Sequence, residues 1–165
     1  MSSKLALIPL VLVLAACGFQ LRGSAAVPFQ TLYIPNAKTG IALDLKRNIE
    51  GGTNAKVVDD AKAADAILEL SGEAREKIIL SLTGTGRVRE FRLRYRMSYR
   101  VHDGKGGEYV PISVVQLSRD VTYNDAEILA KEAEEQLLFR DMQSDMVQQV
   151  MRRLASAERP KPKVQ

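Results

Sequence analysis

The sequence predicts a single α+β domain, with two helices packed on one face of a mixed four- to five-stranded sheet. Three observations predict it. In the stretch 87–101, Phe91, Leu93, Tyr95, Met97, Tyr99 and Val101 alternate with Arg92, Arg94, Arg96, Ser98 and Arg100. Successive strand residues point to opposite faces, so this is a strand with an aromatic, apolar face and a guanidinium face. Downstream, Leu129, Ala133, Leu137, Leu138, Met142, Met146, Val150 and Leu154 recur at helical spacing and supply a natural cover for that apolar face. Upstream, a strand, helix, strand order fills about 30 residues, as a right-handed crossover unit requires.

Residues 31–34 form the first short strand, ended by Pro35 and Asn36. Ile41, Ala42, Leu45 and Ile49 then set a helical period that Gly51 and Gly52 stop. Residues 55–58 form a second short strand, parallel to the first. A long strand covers 66–83, where Leu68, Leu70, Gly72 and Ala74 alternate with Ile67, Glu69, Ser71, Glu73, Arg75 and Lys77. Gly84 and Thr85 predict a type II′ turn into the arginine strand. That turn pairs residues whose numbers sum to 169, the sum of its own two positions. Glu73 then faces Arg96 and Glu69 faces Arg100. Arg75 faces Arg94 and Lys77 faces Arg92, which leaves the positive end of the face without acids.

The segment 102–107, His-Asp-Gly-Lys-Gly-Gly, is a turn-forming loop in which His102 is exposed and idle. Residues 109–123 return as a strand, with Val110, Ile112 and Val114 on one face. Val115, Leu117 and Val121 have the opposite parity, so a bulge is expected near Val114 and Val115. Pro111 puts this strand at an edge or gives it an irregular first pairing. Asn124 and Glu127 have the spacing of a capping box, opening a helix that runs to about Leu154. At 1.5 Å per residue it is roughly 45 Å long, more than the sheet needs, so one end projects. Pro160 and Pro162 forbid continuation.

The first residues read as a leader. Lys4, an apolar run over 5–14, and then Ala15, Ala16 and Cys17 have the layout of a secretory signal peptide. The run is too short for a spanning helix, which needs about 20 apolar residues. Leu-Ala-Ala-Cys at 14–17 resembles the lipobox of bacterial lipoproteins, in which the cysteine becomes the acylated first mature residue. Cys17 is the only cysteine of the chain and has no partner for an internal disulfide. The expected organisation is therefore a leader over 1–16, one domain over 17–155 anchored through Cys17, and a flexible basic tail over 156–165. The full chain has net charge +4, and Lys4 is the only charged residue of the leader, so the remainder carries +3. That mild excess favours anionic partners without naming them.

Catalytic and metal chemistry lack their residues. The chain has one histidine and one cysteine, and no Cys/His cluster has metal-ligand spacing. Gly84 to Gly86 looks like a fragment of a phosphate loop, but a strand follows it where a helix N-terminus would be required. Glu134 and Glu135 fall on the exposed side of a helix. The expectation is a non-enzyme with no cofactor, no metal and no nucleic-acid partner.

Several segments resemble the LptE (RlpB) family of LPS-assembly lipoproteins. Cys-Gly-Phe-Gln-Leu-Arg-Gly at 17–23 is similar to that family's mature N-terminus. Leu-Lys-Arg-Asn-Ile at 45–49 followed by Val57 and Val58 resembles its first helix and next strand. Gly86 through Phe91 with Leu93 and Tyr95, and Tyr-Val-Pro-Ile-Ser at 109–113, resemble its central hairpin region. Ile-Leu-Ala-Lys at 128–131 opens a helix like its last. The resemblance implies an outer-membrane lipoprotein on the periplasmic side that plugs the barrel LptD, assists its assembly and binds lipopolysaccharide. Basic residues at the hairpin tip and the start of the last helix are linked to that binding in the family. Lys131 matches the second position. At the tip Gly84 stands where a basic residue is expected, so Arg87 or Arg89 must supply the charge. The arginine face, with Arg92 and Arg94, completes the candidate lipopolysaccharide-binding set, because guanidinium groups make bidentate contacts to phosphate. The polar wall of a barrel lumen, or solvent alone, is the alternative for the same face. The rival function is a lipoprotein subunit of another outer-membrane assembly complex that binds protein only.

Overall fold

A computed structural model describes residues 24–160, so Cys17 and the expected leader lie outside the described residues. Strand β1, Thr31–Tyr33, is followed by helix α1, Gly40–Gly52, and strand β2, Lys56–Val58. Ile41, Leu45 and Ile49 share one face of α1 and are buried. The helix ends because two glycines are followed by Thr53, whose amide and hydroxyl both donate to the Ile49 carbonyl at 3.0 and 2.8 Å. β2 returns parallel to β1, as expected for a crossover.

Three long strands follow: β3, Ala66–Leu82; β4, Val88–His102; and β5, Glu108–Thr122. The sheet order is β2-β1-β3-β4-β5, parallel through its first three strands and antiparallel beyond. Helix α2, Ile128–Ala155, closes the chain. Leu93, Tyr95, Met97, Tyr99 and Val101 are all buried, together with Met142, Met146, Val150 and Leu154 of α2 and the buried face of α1. The two helices thus cover one face of a mixed five-stranded sheet, in the architecture predicted.

Three local expectations fail, each for a reason of backbone geometry. The hairpin turn is not type II′ on Gly84 and Thr85. The Gly86 amide donates to the Thr83 carbonyl, and the Thr83 amide donates to the Arg87 carbonyl. Gly86 takes φ +80°, so the loop has three residues and ends in a left-handed glycine. Asn124 does not open a capping box with Glu127. Its side chain accepts from the Ala126 amide and caps a short 3₁₀ turn, Asp125–Glu127, ahead of α2. The bulge of β5 lies between Val110, opposite Val101, and Ser113, opposite Tyr99, rather than at Val114 and Val115. Ile112 and Val114 are therefore 70% and 62% exposed. β5 is an edge strand, as Pro111 indicated.

Candidate functional site

The three-residue turn moves the β3–β4 register by one position. Ala74 faces Arg96, Arg75 faces Tyr95, Glu76 faces Arg94 and Lys77 faces Leu93. A bulge at Gly72, whose φ is +60°, restores the expected register below it, so Glu69 does face Arg100. The expected pairs Glu73 with Arg96, Arg75 with Arg94 and Lys77 with Arg92 do not form. The signal was present in the sequence, because an isolated glycine inside a strand pattern marks a bulge.

This shift redistributes the charges. Arg94 meets Glu76, with Nε 2.8 Å from Oε2. Arg92 makes a bidentate pair with Asp120 of β5 at 2.7 and 2.8 Å, which holds the Asp120 carboxyl below its usual range. Arg100 binds Glu69 at 2.7 Å. The positive end of this uncovered face therefore has acids, contrary to the sequence expectation. Asp120 and Glu76 are the ion-pair partners that the sequence pattern did not reveal.

Arg75 and Lys77 turn instead toward α2. Arg75 lies 4.6 Å from the centroid of the Tyr95 ring and donates to Gln143 at 2.6 Å. Gln143 in turn donates to Asp44 of α1 at 2.6 Å. The Tyr95 hydroxyl donates to Glu73 at 2.5 Å. Burial, and then that hydrogen bond, pushes the Tyr95 phenol up to about 12. Lys77 lies 4.4 Å from the Phe91 centroid and binds Glu135 at 2.6 Å. Phe91 and Tyr123 meet edge to face at 5.2 Å.

Lys131 joins this end of the molecule. It lines a recess with Lys77, Phe91 and Tyr123 and binds Glu134 at 2.8 Å. The Arg89 carbonyl accepts from the Tyr123 amide at 2.8 Å, and the side chains of Arg87 and Arg89 are exposed. Half-exposed Ile79, Leu80 and Leu82 lie on the neighbouring strand, and Leu129 at the start of α2 is 82% exposed. The candidate residues thus divide. Arg87, Arg89 and Lys131 come together at the hairpin end, whereas Arg92 and Arg94 lie on the open face of the sheet in ion pairs.

His102 is not exposed, contrary to expectation. It ends β4 with a side chain 16% exposed, its Nε2 3.2 Å from Glu69. Its Nδ1 accepts from the Gly104 amide at 3.0 Å, so the proton of the neutral ring sits on the nitrogen facing Glu69. A cleft of about 570 Å3 between the β1–α1 connection and β3 contains Glu69, Glu73 and Arg100, and all three are engaged in the contacts already described.

Residues 26–154 match the family model described as LptE: Lipopolysaccharide-assembly. The chain belongs to the LptE family. The LPS-assembly lipoprotein LptE of Yersinia enterocolitica is 31% identical over 148 residues, 87% of this chain and 70% of that protein. Lipoprotein B from Nitrosomonas europaea, solved by solution NMR, is 44% identical with a TM-score of 0.69, covering 82% of this chain and 88% of that one. Rare lipoprotein B from Shewanella oneidensis is 26% identical with a TM-score of 0.65, covering 77% and 94%. This LptE-family domain has no helix among its described residues long and apolar enough to cross a membrane.

Proposed function

We propose that this chain is the lipoprotein that plugs and helps assemble the barrel LptD at the outer membrane, and that it binds lipopolysaccharide through its hairpin end. Its family membership gives the coarser role, lipopolysaccharide assembly. The finer reading is carried by one juxtaposition: Arg87, Arg89 and Lys131 lie at the same end as exposed Ile79, Leu82 and Leu129. Lipopolysaccharide has anionic phosphates beside acyl chains, and a surface of cations beside aliphatic groups matches both parts. Anchoring through an acylated Cys17 on the periplasmic side belongs to the same proposal.

The test is lipopolysaccharide binding by the purified full-length chain at low and high salt, beside copurification of the barrel. Replacing Arg89 and Lys131 with Ser removes two cations. A charge-assisted contact contributes about 1.5–3 kcal/mol, so affinity should fall at least about tenfold at low salt. The difference should shrink as salt rises. Unchanged affinity with an unchanged melt leaves the protein-only subunit as the function.

A further inference from the structure

The end of the molecule opposite the hairpin carries cations that the fold does not use. α2 begins beside the hairpin, where Lys131 meets Phe91 and Tyr123, and runs to Ala155 at the other end of the sheet. Its last turn holds Arg152 and Arg153, both exposed. Among the described residues neither guanidinium has an ion pair or a side-chain hydrogen bond. Basic residues in a last turn ordinarily answer the helix's unpaired carbonyls. Here Ser156 already does so, its amide donating to the Arg152 carbonyl at 3.2 Å and its hydroxyl to the Arg153 carbonyl at 3.1 Å.

The two arginines instead rim a shallow cleft of about 520 Å3 between α2 and β5, together with Tyr99, Ser113, Gln149 and Ser156. Tyr99 is only 4% exposed. Burial pushes its phenol up, while the Arg153 charge and a hydrogen bond with Ser113 act the other way, so that charge reaches a buried hydroxyl. Guanidinium N–H groups, a phenol and a primary amide are donors that phosphate oxygens accept from. Hydroxyls and an amide stand here where the hairpin end has exposed Leu82 and Leu129, so the cleft suits a phosphate head without acyl chains. On the other side of Arg152, exposed Arg47 of α1 lines a second cleft and extends the positive charge.

Position names the source of the phosphate. Ala25 lines that second cleft, and its amide donates to the Gly52 carbonyl at 2.8 Å, so the chain enters the fold at this end. Ser24 is seven positions after Cys17, a span of at most about 25 Å. Under the anchoring proposed above, this end is held close to the bilayer surface. A shallow cleft open to solvent accepts a headgroup presented by a surface, whereas a pocket for a free small molecule encloses most of its ligand.

We propose that the cleft between α2 and β5 binds the phosphodiester of an anionic phospholipid in the membrane that carries the chain, with Arg152, Arg153 and the Tyr99 hydroxyl as donors. This rests on the proposed anchoring through Cys17 and is separate from lipopolysaccharide binding at the hairpin end.

The experiment follows amide hydrogen exchange of the full-length chain reconstituted in phosphatidylcholine vesicles, with and without phosphatidylglycerol. A ligand present at about ten times its Kd slows local opening about tenfold. Phosphatidylglycerol should slow exchange over residues 149–157 by about that factor, leave the hairpin unchanged, and lose its effect at high salt. Arg152→Gln with Arg153→Gln should abolish the slowing. Tyr99→Phe keeps every charge and should cut the slowing at least about threefold, the loss of one hydrogen bond. Thermal melts of the variants should match the wild type. Four results overturn the proposal: no slowing by phosphatidylglycerol, a slowing indifferent to Tyr99→Phe, an equal slowing by inorganic phosphate added to phosphatidylcholine vesicles, or arginine variants that lower the melt and keep the slowing. The second would reveal diffuse charge, the third a site for free phosphate, and the fourth arginines that serve the helix end alone. A wild-type chain not retained by the vesicles refutes the anchoring itself and takes this inference with it, a result distinct from the other four.

Discussion

Gly72 decides which charges face one another across β3 and β4. Its φ of +60° lets two residues, Gly72 and Glu73, oppose Met97, and the pairs from Ala74 to Ile79 are displaced by one as a result. Space is not the constraint, because a Cβ on Gly72 would meet only Ser98 Oγ at 3.9 Å. Conformation is. A side chain in the left-handed region costs about 1–2 kcal/mol, so Gly72→Ala should lower unfolding free energy by about that amount in urea titration. A loss of a few tenths would mean that the bulge relaxes without strain. Tyr95 gives a second residue-scale expectation. Its phenol ionises near 12 in the fold and near 10 in the unfolded chain, so the native state holds the proton more tightly. Its contribution is complete below pH 10 and is lost as pH rises through 12. Tyr95→Phe should therefore remove part of the fall in stability between those values. Urea titrations at stepped alkaline pH on both proteins check this, and parallel slopes would reject it.

At the scale of elements, α2 has two halves with different jobs. From Met142 onward its inner side is buried on the sheet and on α1. Before that point, Lys77 to Glu135 ties it to the sheet, and Phe139 meets Tyr95 at 6.3 Å. The sequence stripe counted Leu129 and Leu137 as core, yet Leu137 is 53% exposed. A helical period shows which residues share a side, but only the width of the sheet shows where the cover ends. Leu137→Ala should then stay within about 0.5 kcal/mol, the range of ordinary surface changes. Met142→Ala should cost about 2–5 kcal/mol through the cavity it leaves. Equal losses in thermal or urea unfolding would contradict this division. The alternation of β4 was legible because burial on one face enforces period two without exception from Phe91 to Val101. The partners of Arg92 and Arg94 were not, because one turn residue and one bulge decide register, and neither leaves a charge pattern in the sequence.

At the scale of the whole molecule, fold and attachment are separate devices. Every core residue of the described chain lies between Val27 and Leu154, downstream of Cys17. Replacing that cysteine should therefore leave packing untouched and, under the proposed anchoring, remove both the thioether and the acylated amine. Each buried methylene contributes about 0.8 kcal/mol to membrane attachment, and one acyl chain alone binds only marginally. In the proposed anchor several chains on one residue would make the attachment effectively permanent, whereas the +3 charge of residues 17–165 gives only a weak, salt-sensitive attraction to anionic lipid. Cys17→Ala should accordingly leave the protein unprocessed or released from outer-membrane fractions when no barrel partner is made, with an unchanged thermal melt. Under the proposed plug role, coexpressed barrel should restore part of the membrane fraction by giving a second means of attachment. A variant that stays with the outer membrane in the absence of the barrel would show that something other than the lipid holds it there.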